Sequence, residues 1–221
     1  MCARYASPDE ARVLSQTYSL NLPVSISLKA SLIYPHTGAP VIIQVEAGRE
    51  LRLMNYGLVP EWSKVRKPKF ATYNARLEGI LEKPTWRKAF QTKHCLVPIQ
   101  YFVESVYEGP HAGHNINIEA PDSKILTAAG IWESWVDKKT GEVLDSFAIL
   151  TSPPPEAISQ VGHDRCPLFL QEDIFDIWIH EKKEGREWLR FLESLRLPQD
   201  WKFTQQEEIK SFNRQLSLID D

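Results

Sequence analysis

The chain has 221 residues, 43% of them hydrophobic, and a formal net charge of −3. That length and composition fit a globular protein able to bury most of its apolar surface without staples. They exclude a global basic signature, so any nucleic-acid binding must come from a local patch.

In chain order, "SPDE" (Ser7–Glu10) predicts a helix start, with Ser7 as cap, Pro8 at the first helical position and Glu10 closing a capping box, followed by helix to about Tyr18. "PVIIQVE" (Pro40–Glu46) and "LRLMNYGLVP" (Leu51–Pro60) predict strands joined by a turn at Ala47-Gly48. "SKVRKPKF" (Ser63–Phe70) is a basic loop. "EGILEKPTWRKAF" (Glu78–Phe90) predicts helix broken near Pro84 and resuming after it. "HCLVPIQYFVES" (His94–Ser105) is a long apolar run rich in β-formers, and "HNINIEA" (His114–Ala120) alternates as a half-buried strand does. Lys124–Val136 and Asp145–Thr151 predict two further strands around the turn "DKKTGE". The segment that begins at Pro153–Pro155 lacks strand character, a helix is expected over Glu184–Leu195 before Pro198, and the tail returns to strand and loop. With no repeat, low-complexity tract or linker, this order predicts one α+β domain over residues 1–221. Its main feature is a strongly curved, mainly antiparallel, barrel-like sheet with a few flanking helices.

The three cysteines, Cys2, Cys95 and Cys166, are odd in number and far apart. This argues against a disulfide framework or a CxxC zinc site and fits a reducing compartment. Arg4, Asp9, Glu10 and Arg12 interrupt any signal-like apolar run near the start, and no stretch approaches the ~20 apolar residues of a membrane helix. A cytoplasmic protein is expected. The histidines at 36, 94, 111, 114, 163 and 180 show neither HExxH nor Cys-paired spacing, so no metal and no cofactor is expected.

Four positions carry possible chemistry. Cys2 is small enough for Met1 to be removed, which would leave a 1,2-aminothiol; the α-amine titrates near 8 and the thiol near 8.5, so both have nucleophilic fractions at neutral pH. Such a group condenses with an aldehyde to an imine and then closes a thiazolidine ring. On position alone the favoured reading of Cys2 is an incidental thiol at a fraying end. In "YNARLEG", Asn74 and Arg76 lie two apart and share a face in extended backbone, one a donor and acceptor, the other a fork for phosphate; a plain turn before a helix is the simpler reading. Glu104 ends an apolar run, where it is either a strand-end charge or a buried carboxyl with a raised pKa suited to proton transfer. His163, in "GHDRCP", sits between Gly and Pro neighbours that suggest a shaped loop.

Together, "MC-x-R", "NAR-x-E", an aromatic-rich strand ending in Glu, "AGIWE-x-W" and "H-D-R-x-P-L" resemble the SRAP (SOS response-associated peptidase) family, from residue 1 to about 170 and again at "SFNRQLSLI". The resemblance implies a protein of the DNA damage response that shields abasic sites in single-stranded DNA. Its processed Cys2 would form a thiazolidine with the ring-opened deoxyribose, with self-reversal or lyase-type activity. It implies that Asn74 positions terminus and sugar, that Glu104 orients or deprotonates the α-amine, that His163 is the acid–base of Schiff-base steps, and that Arg4, Arg76 and Arg165 contact DNA. The basic loop adds Lys64, Arg66, Lys67 and Lys69 as a cationic groove, with Trp62 and Phe70 to stack bases. The partner implied is abasic single-stranded DNA, bound by a monomer without membrane contact and associated with the nucleoid when DNA is damaged. The chain departs from the family pattern at Ala3, where Gly is usual, at Ser105, where Trp is usual, at Leu77 and Gly79, and across "YPHTGAP" (Tyr34–Pro40). Three other readings stay open: an N-terminal-nucleophile amidohydrolase, a cysteine peptidase, and a non-catalytic single-strand DNA-binding module.

Overall fold

The apolar runs of the sequence become strands, many of them covered on both faces. A computed structural model describes residues 3–20, 31–122, 124–195 and 200–208. In chain order the elements are β1 (Arg4–Ser7), α1 (Ala11–Tyr18), β2 (Ser31–Ile33), β3 (Gly38–Val45), β4 (Gly48–Tyr56), β5 (Asn74–Arg76), α2 (Pro84–Thr92), β6 (His94–Ile99), β7 (Tyr101–Ser105), β8 (His114–Glu119), β9 (Leu126–Val136), β10 (Val143–Ser152), α3 (Glu156–Ser159), β11 (Cys166–Pro167), α4 (Phe175–His180), α5 (Gly185–Ser194) and β12 (Lys202–Glu208). Cys2 and the tail from residue 209 onward lie outside the described residues. No helix among those described is long and apolar enough to cross a membrane.

A barrel closes through five strands among these residues. β3 pairs with β4, β4 with β10, β10 with β9, β9 with β6, and β6 returns to β3. The expected curved, mainly antiparallel barrel is present; it is mixed because β10 runs parallel to both β4 and β5. A second sheet, in the order β12-β8-β7-β1-β2, is antiparallel throughout. The run His94–Ser105 joins the two layers. It bends at Gln100, whose N–H donates to the Ala6 carbonyl at 2.9 Å, so that β6 belongs to the barrel and β7 to the second sheet.

Side-chain alternation along the barrel strands feeds two cores. Val41, Ile43, Val97, Phe147 and Ile149 pack with Tyr5, Phe102 and Ile118 of the second sheet. Their neighbours Ile42, Leu96, Ala148 and Leu150 pack under the helices against Trp86, Phe90 and Trp178. Burial on both faces is why these strands read as continuous apolar runs rather than as alternating ones.

Three local expectations are corrected. Ser7 caps no helix: Arg4–Ser7 is a strand paired with both β2 and β7, and α1 starts only at Ala11, behind Glu10. Backbone pairing along two edges outweighs a single capping hydrogen bond. Residues 78–82 form turns rather than helix, with Gly79 at φ +72°, and helix begins at Pro84, whose missing N–H costs nothing there. "NAR" is strand β5 rather than loop, added parallel to β10. The expected helix over Glu184–Leu195 is α5, which carries a reciprocal capping box between Glu184 and Glu187.

Gly130 on β9 marks the tightest approach inside the barrel. A Cβ there would lie 2.6 Å from Cys95 Sγ and 2.8 Å from Val97 Cγ2. Gly130→Ala is expected to cost about 1–3 kcal/mol by overpacking, read from the midpoint of urea unfolding. Adding Cys95→Ala should recover part of that loss; equal midpoints for wild type and Gly130→Ala would contradict this packing.

Candidate functional site

The site is built where β7 meets β1. Arg4 pairs with Val103 and Tyr5 with Phe102. One residue further along β7, Glu104 is buried to 3% exposure and is paired across β8 with Ile116. His163 reaches it from the loop after α3, where Gly162 turns the chain at φ +90°, a conformation that glycine adopts without strain. His163 Nδ1 stands 3.4 Å from Glu104 Oε2, longer than a strong hydrogen bond but within reach of proton exchange after a small adjustment. Its Nε2 is buried without a hydrogen-bond partner among the described residues.

Burial sets the protonation of both groups. It raises the Glu104 carboxyl to about 7; the Arg4 guanidinium opposes the rise and Asp164 adds to it. Burial lowers His163, with Asp164 opposing. Near neutral pH the imidazole is therefore neutral, and the carboxyl, raised to about 7, can take or give a proton at little cost. Cys166, on β11 beside them, is held as the thiol by burial, reinforced by the Glu104 charge.

Arg4 is fastened at this junction. Its Nη2 donates to Ser105 Oγ at 2.9 Å and to Asn115 Oδ1 at 2.8 Å, and Ser105 Oγ donates to Asn115 Oδ1 at 2.7 Å. Asn74 and Arg76 share one face of β5, as their spacing predicts. Both line a cleft of ≈ 340 Å³ with Phe70, Lys83 and Trp86. The buried Tyr56 hydroxyl donates to Asn74 Oδ1 at 3.2 Å, and the Tyr56 ring meets Tyr5 of β1 edge-on at 5.4 Å. One aromatic contact thus links the Asn74 cleft to the strand that begins beside Glu104.

The basic loop borders that cleft. Phe70 is half exposed and lines it directly. Trp62, 58% exposed, lines a second cleft of ≈ 280 Å³ that shares Pro84 and Thr85 with the first and carries Lys88 and Lys138. Trp135 Nε1 donates to the Ser63 carbonyl at 2.8 Å, Trp62 Nε1 to the Pro84 carbonyl at 3.3 Å, and Arg66 pairs with Glu142 at 2.5 Å, so the loop is tied down at three points. Lys64, Lys67 and Lys69 are exposed on it.

Arg165 is engaged by protein groups next to Arg76. It is 7% exposed, with Nη1 on Glu78 Oε1 at 2.8 Å and Nη2 on the Thr151 carbonyl at 2.5 Å. This geometry fastens the His163 loop to β10 and to the turn after β5. Sequence reasoning passed over Tyr56, Asn115, Lys83, Lys88 and Lys138. A polar residue in an alternating strand, such as Asn115 in "HNINIEA", is the signal that was available. Among the described residues no group of three His, Cys, Asp or Glu side chains is gathered as metal ligands would be.

Comparison with known proteins identifies the family. Residues 1–207 match the family described as SOS response associated peptidase (SRAP). Abasic site processing protein YoqW of Bacillus subtilis is 27% identical over 194 residues, 87% of this chain and 86% of that protein. YoaM of the same organism, also named an abasic site processing protein, is 30% identical over 168 residues, 76% and 72% of the two chains. The vertebrate protein of that name, HMCES of Xenopus tropicalis, is 25% identical over 185 residues, and the match spans 52% of its length. A solved structure from Bordetella bronchiseptica has the same fold, with a TM-score of 0.77 at 20% identity over 93% of this chain and all of the other. One from Bacteroides thetaiotaomicron also scores 0.77, at 23% identity over 96% and 94%.

The buried carboxyl has a stability consequence. Its pKa is raised from 4.5 to about 7 on folding, so no penalty exists below pH 4.5, and a penalty develops as pH rises through 7. Fully developed, it is on the order of 3 kcal/mol. Glu104→Gln should therefore gain stability over wild type progressively from pH 5 to pH 8. Thermal unfolding across that range reads the difference; a gain that is independent of pH would contradict the raised pKa.

Proposed function

Because the chain belongs to the SOS response associated peptidase family, we propose that it processes abasic sites in single-stranded DNA by forming a covalent crosslink through Cys2 once Met1 has been removed. The observation that carries this reading is the buried Glu104–His163 pair beside the start of β1. Cys2 is two residues before Arg4 in sequence, and Arg4 is paired with the neighbour of Glu104. A reaction that consumes a terminal amine needs a group that can pass a proton close to that amine. The names of the Bacillus and vertebrate relatives support the substrate.

The chemistry follows from the groups present. The unprotonated α-amine of Cys2 adds to the C1′ aldehyde of the ring-opened deoxyribose, forming a C–N bond and a carbinolamine. Glu104 accepts the ammonium proton needed to free the amine, and returns a proton, directly or by way of His163, to the carbinolamine hydroxyl, which leaves as water. The Cys2 thiol then adds across the resulting C=N bond. The C–S bond closes the five-membered ring, and the thiol proton ends on the ring nitrogen. Run backwards, the same proton transfers open the ring, hydrolyse the imine and release the aldehyde and the terminal aminothiol. Asn74 fixes the sugar, with its amide oxygen held by the Tyr56 hydroxyl.

The groove supplies binding. Arg76, Lys64, Lys67 and Lys69 attract phosphates, while Trp62 and Phe70 offer faces for unpaired bases. Stacking on exposed rings favours single strands, whose bases are free, over duplex. The formal charge of −3 makes this local patch the source of DNA attraction.

A single-stranded oligonucleotide with one abasic site should yield an adduct that survives denaturing electrophoresis, and Cys2→Ala or a retained Met1 should abolish it. Glu104→Ala and His163→Ala should slow its formation by ~10²-fold or more. Unchanged rates in both would overturn the proton-transfer assignment, and a wild-type protein without any adduct would overturn the crosslinking reading itself. Noncovalent binding should weaken with salt and favour single strands; equal affinity for duplex would contradict the groove assignment.

A further inference from the structure

We infer that Asn115 and Ser105 form a clamp that holds the Arg4 guanidinium and thereby fixes the start of β1 against the strand that carries Glu104. This inference rests on the crosslinking reading above and adds positioning residues to it.

The clamp is a closed triangle of hydrogen bonds across three strands: Arg4 on β1, Ser105 on β7 and Asn115 on β8, at 2.9, 2.8 and 2.7 Å. Ser105 and Asn115 are direct partners across the β7–β8 ladder. Donor rules fix every direction. A guanidinium only donates, so Ser105 Oγ must accept from it and give its own hydrogen to Asn115 Oδ1. That oxygen receives two hydrogen bonds, which sets the orientation of the amide. Two of the three bonds are charge-assisted and so are the stronger kind.

The consequence concerns Arg4. A guanidinium whose Nη2 is committed to two protein oxygens serves to place the strand start. The Arg4 Cα stands opposite Val103, the neighbour of Glu104, so loss of the clamp leaves play at this end of β1. Displacing a reacting group by an ångström can cost ~10²-fold in rate, and looser holding costs less.

The test separates positioning from DNA affinity. Crosslinking rates are measured against DNA concentration for wild type, Asn115→Leu, Asn115→Asp and Arg4→Ala. Asn115→Leu keeps the volume but has no acceptor, and should lower the rate at saturating DNA by about tenfold or more, leaving the half-saturating concentration unchanged. Asn115→Asp keeps both acceptor contacts and should react nearly as wild type does. Arg4→Ala should show the same loss, and Asn115→Leu should add nothing to it. A wild-type rate for Asn115→Leu, a loss that appears in the half-saturating concentration instead, or additive losses would each overturn the clamp. Hydrogen exchange gives a readout independent of the reaction: the amides at the start of β1 should exchange faster in Asn115→Leu and not in Asn115→Asp, and unchanged exchange counts against the clamp. If the wild-type protein forms no adduct, the crosslinking reading falls while the exchange experiment still judges the clamp.

Discussion

The antiparallel pairing of Arg4–Ala6 with Tyr101–Val103 is the contact on which the site depends. It draws Arg4–Ser7 into the second sheet between β2 and β7, and so sets Arg4 beside the strand that carries a buried carboxyl more than ninety residues away in sequence. The rest of the architecture supports that pairing. Tyr5 reaches into the core with Phe102 and Ile118, and the Gln100 N–H joins the end of β1 to the hinge between barrel and sheet. Without β1 in place, Glu104 would lose the guanidinium that opposes its raised pKa, and Asn74 would lose the aromatic contact that runs through Tyr56 to Tyr5.

The price of the site is borne by the fold. A carboxyl at 3% exposure, whose pKa is pushed to about 7, destabilises the folded state wherever it is ionised. A neutral imidazole with one buried nitrogen lacking a partner among the described residues adds to that cost. Neither feature helps folding, and both suit proton transfer at neutral pH, which is the expected mark of a functional site. The closed barrel offsets the cost with two apolar cores that share its strands, one filled from inside and one covered by helices.

Much of the fold was legible in the sequence, and for clear reasons. Runs such as "PVIIQVE" and "LRLMNYGLVP" carry enough apolar β-formers to declare strands, and α5 declares itself through Glu184 and Glu187. The strand character of Arg4–Ser7 was hidden because "SPDE" imitates a helix start and because its pairing partners are distant. The three-residue strand "NAR" is too short for periodicity to register, and only β10 makes it a strand. At the site, Glu104 was recognisable as a charge closing an apolar run, and His163 by the glycine before it. Arg165 looked like another cation of the same loop; its engagement with Glu78 and the Thr151 carbonyl depends on tertiary placement that no local pattern encodes. Asn115 and Tyr56 were unremarkable in sequence because their importance lies in what they hold, Arg4 and Asn74.

The most direct measurement is intact-mass and peptide-mapping spectrometry of the protein after incubation with an oligonucleotide carrying one abasic site. A crosslink made through an imine that closes to a thiazolidine gives a mass equal to protein without Met1 plus oligonucleotide minus one water, with the modification mapped to the peptide that begins at Cys2. An adduct mapped to a lysine of the basic loop, or a Cys2 peptide that stays unmodified while DNA is bound, would contradict it.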